Sequence, residues 1–543
     1  MKPRVLFVAA EAVPLAKTGG LGDAVSGLAQ ALQQRGVDVT VLIPAYPQAV
    51  AAAAPWLKLG PILALPGLDH PARLLLGQLP GSEVKLALLD CETLFKRPGG
   101  LYTDPAGRDF ADNDKRFAAL CGAAAQIAAG NTQLDAPHLV HAHDWHAGLT
   151  PLLMRDLGLA TPSVQTIHNL AFQGVFPLAG AEPCGIPASA CVAEGAEFWG
   201  QLSYLKAGIN FADRVTTVSR SYAREVLTPR FGHGLDGLLR QHREKLRAIP
   251  NGIDEQTWNP ASDTYLPQNY SSNARQGKAI CKQTLQRAFG LTVNPDSALI
   301  AHGSRLTGQK MADIAVQALA LLLAENSRVQ VAVLGCGEAE IEREFSALAQ
   351  QYPGRVGVHI GYDEGLAHLL HGGADMLLHG SRFEPFGLTP VYAMRYGTVP
   401  IVSRVGGMMD TVRDLGTAGA TGFHFDGEQV GDMANAIRRA LHVFNQPPLW
   451  QTLQNNGMRT EFSWAAPAKE YVSMYGRLTS GAVQQAFLRA STEEKESVKV
   501  FLKHLEPVAK HAPKATPATP ATPATLTHKP AAARPVFVDM KVA

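Results

Sequence analysis

Apolar and polar positions fall into two successive series of strand-length apolar runs and helix-period stretches. Val5–Ala10 is an apolar run stopped by Glu11 and followed by a glycine-rich turn. Ala24–Arg35 then repeats apolar residues at helical spacing, and Gly36 stands where a helix stop belongs. Val37–Ile43, Leu86–Leu89, Ala118–Ala129, Leu139–Ala142, Ser163–Ile167 and Arg214–Val218 continue the alternation. The pattern restarts with Leu299–Gly303, a helical stretch Ala312–Ala324, and the runs Val329–Leu334, Val356–Ile360, Met376–Leu378 and Val399–Ser403. Strands that alternate with helices predict parallel sheets covered on both faces, an α/β chain of two doubly wound, Rossmann-like domains. The turn Ile249-Pro250-Asn251-Gly252 marks the boundary. The expected division is residues 1–248, residues 249–460, a helical segment 461–480 returning to the first domain, and an extension 481–543. Ligands of such sheets bind beyond the carboxyl ends of the strands, so two facing domains would form a cleft lined by those loops.

The extension differs from the rest in composition. Ala515-Thr516-Pro517 begins a run that places proline at every third residue, which predicts an extended linker. Lys510–Ala543 carries five basic residues against Asp539 alone. The whole chain has 49 basic and 47 acidic residues, so without that stretch it has 44 against 46 and is no longer basic. That balance gives no reason to expect a nucleic-acid surface. No apolar stretch approaches the ~18 residues of a membrane span. Lys2 and Arg4 precede an apolar run too short for a signal peptide core of ~7–15 residues, which favours a first strand. Six cysteines are scattered with no Cys-x-x-Cys pair, which supports neither a disulfide framework nor a zinc site and fits a reduced, cytoplasmic chain.

Chemistry-bearing motifs follow the predicted strands. Lys17-Thr18-Gly19-Gly20-Leu21-Gly22-Asp23 opens the first helix; its glycines permit close backbone approach, and amides at a helix start favour an anion. It reads as a phosphate or sugar loop, or as a structural turn. Ser304-Arg305-Leu306-Thr307-Gly308-Gln309-Lys310 takes the same place in the second series. There a forked guanidinium and a point ammonium would meet a diphosphate from two sides, or be two solvated cations on a turn. In Ser381-Arg382-Phe383-Glu384-Pro385-Phe386-Gly387-Leu388-Thr389-Pro390, the amides of Gly387, Leu388 and Thr389 start a helix and suit an anion, whereas Glu384 suits sugar hydroxyls. His138, His141, His143 and His146 surround Asp144 and Trp145, and His168-Asn169 ends the next strand. No carboxylate or cysteine stands at zinc-ligand spacing, so the cluster reads as a sugar pocket or as satisfied polar strand ends rather than a metal site.

In order along roughly residues 1–478, Lys-Thr-Gly-Gly-Leu, His-Asp-Trp-His, Thr-Ile-His-Asn, Ser-Arg-Leu-Thr-x-Gln-Lys and Ser-Arg-Phe-Glu-Pro-x-Gly-Leu-Thr resemble the bacterial glycogen synthases, and the plant starch synthases closely as well. The resemblance implies the two-domain glycosyltransferase B fold. It further implies retaining transfer of glucose from ADP-glucose to the non-reducing end of an α-1,4-glucan, with neither metal nor cofactor. Its partners would be that donor and a glycogen-like acceptor, with no nucleic acid and no membrane; a homo-oligomer is compatible with it. Carried over by motif, Lys17, Arg305 and Lys310 would bind the diphosphate, with Gly19 and Gly20 giving close backbone approach. Asp23, Asp144, His168 and Glu384 would hold the glucosyl group or shape the reacting centre. Asn251 would line the cleft, and the amides of Gly387–Thr389 would meet the distal phosphate. Another donor such as UDP-glucose, or a non-catalytic glucan-binding relative, is the alternative; the retained Lys17, Asp144, Arg305, Lys310 and Glu384 argue against a decayed site. The chain departs from the pattern at Phe386, where the family commonly has cysteine, and at Gly335-Cys336-Gly337-Glu338, where aspartate is usual in the last place.

Overall fold

The computed structural model describes residues 2–492 except 66, 67, 69 and 70. The proline-rich run and the rest of the extension from 493 onward lie outside the described residues. The first lobe contributes β1 (Arg4–Val8), β2 (Asp38–Pro44), β3 (Lys58–Leu63), β4 (Ala72–Gln78), β5 (Lys85–Asp90), β6 (Leu139–His143), β7 (Ser163–Ile167), the short β8 (Val175–Pro177), β9 (Glu197–Phe198) and β10 (Gln201–Ser203), then β11 (Arg214–Thr217) and β12 (Leu246–Ala248). Nine of them form one sheet in the order β12-β11-β7-β6-β1-β2-β5-β4-β3, and β8-β10-β9 form a small sheet beside it. The second lobe has β13 (Ala298–Gly303), β14 (Val329–Gly335), β15 (Val356–Ile360), β16 (Met376–His379), β17 (Val399–Ser403) and β18 (Phe423–Phe425), ordered β15-β14-β13-β16-β17-β18.

The central strands are parallel and buried on both faces: all five residues of β6, β7 and β17 are buried. Such strands need helices on either side, and the long crossovers supply them. The expectation of an all-parallel first sheet needs correction at its margin. β3 pairs antiparallel with β4, and β4 with β5, where exposed Lys58, Leu59 and Ile62 break the continuous apolar pattern. The first helix also starts earlier than its periodicity indicates. It runs Gly20–Gln34, so Gly20, Gly22 and Asp23 lie in its first turns rather than in a loop.

The strand order reverses beside β1 in the first sheet and beside β13 in the second. These switch points open a crevice between successive loops. The loops after β1 and β6 flank the first crevice, and those after β13 and β16 the second. All four carry the sequence motifs.

The chain crosses between the lobes at 249–253 and returns near 462. The two crossings are tied by the Ile253 amide donating to the Phe462 carbonyl at 2.8 Å. The helix Ala465–Leu478 then joins the first lobe's core through Trp464, Ala468, Tyr471, Val472 and Tyr475. The extension expected from residue 481 begins instead with an ordered helix, Gly481–Thr492, which packs on its predecessor and buries Ala486, Phe487 and Ala490. Only three of its twelve residues are buried, too few for the sequence pattern to mark it.

Candidate active site

The loop after β1 is clamped by a carboxylate. Glu11 accepts hydrogen bonds from the Thr18 amide (2.8 Å), the Thr18 hydroxyl (2.5 Å) and the Tyr102 hydroxyl (2.6 Å). Full burial raises the Glu11 pKa in spite of these donors. Lys17 projects from the clamped loop and pairs with Asp23, Nζ to carboxylate at 3.0 Å. Burial works against the Lys17 charge, but the carboxylates of Asp23 and Glu364 more than offset it and raise its pKa. Glu364 belongs to the second lobe, so the Lys17 loop already feels the opposite side of the cleft.

Asp144 follows β6 at φ 57° and ψ −171°, a positive-φ extended conformation that residues other than glycine seldom adopt. Its Oδ1 accepts the amides of His168 (2.7 Å) and Asn169 (3.2 Å), which binds the end of β6 to the end of β7. Burial pushes the Asp144 carboxyl up to about 7, against those two donors. His168 Nε2 lies 3.0 Å from His143 Nδ1, and burial takes the His168 pKa down to about 3, so the ring is neutral. His141 is held by the Tyr475 hydroxyl (2.7 Å) and the Thr166 hydroxyl (2.6 Å), which links the returning helix to the site strand. Trp145 and Tyr102 stack on His146. Burial holds His141, His143 and His146 far below the ordinary histidine pKa. The cluster is therefore a neutral wall in which His143 and His168 bond each other. Among the described residues, no three His, Cys, Asp or Glu side chains are grouped to hold a metal ion.

In the second lobe, Lys310 Nζ sits 2.5 Å from Glu384 Oε2, and His379 Nε2 approaches the same oxygen at 3.2 Å. Burial alone would raise the Glu384 pKa; Lys310 and His379 hold it well below the carboxylate range. Arg305 bonds to Gln309 Oε1 (3.0 Å), and Arg382 turns away to Asp313 and Glu428. Gly387, at φ 86°, caps the helix Leu388–Arg395. The first amides of that helix have no intrahelical partner and are oriented for an anion. Phe386 is buried in the core beneath this turn.

Direct contacts draw the two halves together. A Cβ on Gly20 would lie 2.9 Å from Leu388 Cδ1, so the two predicted anion loops touch across the cleft. The Ser219 hydroxyl donates to the Pro385 carbonyl (2.6 Å), Ser221 donates through its amide and hydroxyl to Asp410 (2.8 and 2.7 Å), and Glu225 Oε1 accepts the Gly406 amide (2.8 Å). Of the sequence candidates, Lys17 with Asp23, Asp144 with His168, Lys310 with Glu384, and Gly20 with Leu388 are brought into contact. Gly19 caps the first helix, Gly387 and Thr389 flank Leu388, and Arg305 contacts Gln309. Asn251 is anchored by its amide to the Val218 carbonyl (3.2 Å). Sequence reading misses Glu11, Tyr102, His379, Glu225 and Asp410, although Glu11 and His379 each end an apolar strand run.

Gly406 has φ 47°, and a Cβ there would lie 1.8 Å from the Glu384 carbonyl oxygen. Gly406→Ala is expected to cost about 1–3 kcal/mol from its backbone conformation alone. It should also lower kcat about tenfold, because the displaced carbonyl belongs to Glu384, and losing one fully positioned charge donor costs more, about 10²–10³. Thermal unfolding and steady-state kinetics measure both effects.

Two doubly wound domains face each other with a cation–carboxylate pair in each half, and the family models that match them make the chain a two-domain glycosyltransferase. A family model described as the starch synthase catalytic domain matches residues 4–241, and one described as glycosyl transferases group 1 matches residues 286–456. Glycogen synthase of Ralstonia nicotianae is 51% identical over 90% of this chain and 91% of its own length, and that of Bordetella bronchiseptica is 51% identical over 88% and 96%. The catalytic domain of starch synthase IV from Arabidopsis thaliana, solved with ADP and acarbose, superposes with a TM-score of 0.80 at 28% identity, covering 91% of this chain and all of that one. Sucrose-phosphate synthase from Thermosynechococcus elongatus shares the fold at 20% identity, with a TM-score of 0.55. The chain belongs to the glycogen synthase family. No described helix is long and apolar enough to cross a membrane.

Proposed function

We propose that the protein transfers glucose from ADP-glucose to the non-reducing end of an α-1,4-glucan, retains the anomeric configuration and releases ADP. The observation that carries this reading is the buried Lys310–Glu384 pair facing the Lys17 loop at two switch points whose helix starts are in contact. Breaking the sugar–phosphate bond leaves growing negative charge on the nucleotide and positive charge on the glucosyl carbon. Lys310, Arg305 and the amides of Gly387–Thr389 take up the first, since fixed cations and dipoles need no reorganisation as the charge develops. Lys17 adds its charge from the opposite lobe, with Gly19 and Gly20 allowing the backbone to approach. Asp23, Asp144, neutral His168 and Glu384 hold glucosyl hydroxyls and balance the charge at carbon. Asn251 lines the passage between the lobes. Glu384 is engaged by both Lys310 and His379, which suits hydrogen bonding more than nucleophilic attack. The first lobe presents the acceptor and the second the nucleotide sugar; closing them excludes water, the competing acceptor.

Purified protein incubated with glycogen should incorporate glucose from ADP-glucose in preference to UDP-glucose, and NMR of the early product should show an α-linkage. Preference for UDP-glucose would overturn the donor assignment, and a β-linkage the retention.

A further inference from the structure

Trp199 is 84% exposed, the most exposed of the large hydrophobic side chains in the described residues. It lies at the tip of the hairpin joining β9 to β10, where Phe198 pairs with Gln201 across the two-residue turn Trp199-Gly200. Both turn residues have positive φ, 53° and 79°, the geometry of a type I′ turn. That turn favours Asn-Gly, because asparagine tolerates the left-handed region and a large aromatic does not. Trp199 thus adopts a disfavoured backbone conformation without burying its ring in return. When local rules are broken with no gain in packing, the explanation is sought in function.

The position supports that reading. A Cβ on Gly234 would lie 3.7 Å from the Trp199 indole nitrogen and 3.1 Å from the Phe198 ring. The neighbouring His233 ring meets Phe383 of the second lobe at 5.3 Å, and Phe383 directly precedes Glu384. The Gln173 side chain ties the His233 carbonyl (2.8 Å) to the loop that leaves His168, and that loop carries the half-exposed Phe172 into β8. Trp199 therefore stands at the rim of the cleft, one loop out from the reacting centre. The flat ring has an apolar face and a polar N–H edge, and sugar rings offer apolar C–H faces bordered by hydroxyls.

We propose that Trp199 is an acceptor subsite: a stacking platform for a glucosyl unit of the α-glucan several residues from the end that reacts. This inference rests on the glucan-acceptor reading above and extends it to the chain beyond the reacting sugar.

The informative substitution is Trp199→Asn, since asparagine suits the type I′ turn and should leave thermal stability equal to or above that of the parent. Titration of maltoheptaose into the full chain, without donor, should show affinity about threefold to tenfold lower for Trp199→Asn. The ratio of kcat/KM for maltoheptaose to that for maltotriose should fall by a similar factor. Trp199→Phe, which keeps a ring, should stay within about twofold of the parent in the same titration. Equal maltoheptaose affinity in the parent and Trp199→Asn overturns the proposal, as does a Trp199→Phe variant that drops as far as the asparagine one. Because the titration needs no donor, it separates the two readings. Weakened glucan binding in a protein that transfers no glucose would sink the proposed function and keep the subsite; unchanged binding in an active enzyme would do the reverse.

Discussion

Lys310→Ala is expected to lower kcat with ADP-glucose by about 10²–10³, the usual cost of removing one preorganised group that stabilises developing charge. The same change should destabilise the protein. Lys310 and Glu384 are both largely buried, with side chains 13% and 11% exposed and Nζ 2.5 Å from Oε2. Removing one member of such a pair leaves the other charged in a poorly solvated place, at a typical cost of about 3–5 kcal/mol. Two outcomes are thereby mixed, and a second variant separates them. Lys310→Met combined with Glu384→Gln removes both charges, so most of the lost stability should return while activity stays down. Thermal unfolding and kcat on the two variants give the comparison. A Lys310→Ala enzyme that keeps more than about a tenth of the parent kcat would remove Lys310 from the charge-stabilising set.

That pair also marks how far local pattern reaches. A motif at the end of an apolar run points to Lys310 and another to Glu384, but their contact spans 74 residues and three strands. Local pattern states that both lie at carboxyl ends of strands and cannot state that they touch. Strands buried on both faces are among the legible ones. Ser163–Ile167 and Val399–Ser403 have the bounds their apolar runs predict, because such a strand has no polar face to blur its ends. The edge strand Lys58–Leu63, its neighbour Ala72–Gln78 and the small sheet carrying Trp199 leave little trace in the pattern, because half-exposed strands tolerate mixed residues. Periodicity starts the first helix too late because Gly20 and Gly22 are poor helix formers; its start is imposed by tertiary contact, with Gly20 against Leu388 and Gly22 against Ala16. The interlobe bonds of Ser219, Ser221 and Glu225 leave no sequence signal, because serine and glutamate on a short helix ordinarily read as a solvated face.

Asp144 yields the prediction in which stability and activity move in opposite directions. Its carboxyl is pushed from the ordinary aspartate value of 3.8 up to about 7, chiefly by burial, with the His168 and Asn169 amides opposing. The folded protein therefore holds this proton more tightly than the unfolded chain does. The stability this contributes is fully present below about pH 4 and is lost as pH rises toward 7, where the folded protein must ionise a buried group. Asp144→Asn cannot ionise, its Oδ1 can still accept both amides, and asparagine is close to aspartate in size and shape, so the backbone demand at φ 57° and ψ −171° is the same for both. The variant should match the parent near pH 4 and unfold at a higher temperature at pH 8. Activity should go the other way. If the ionised carboxylate balances charge at the glucosyl carbon, kcat/KM of the parent falls about tenfold per pH unit below pH 7. Asp144→Asn should sit about 10²–10³ lower at pH 8 and lose that acid limb. A variant less stable than the parent at pH 8 would mean that the charged carboxylate is a net structural asset. A variant retaining the acid limb would assign that limb to another group. The combination of gained stability and lost turnover is what a buried charge kept for catalysis requires, since a group retained for the fold alone would show the reverse.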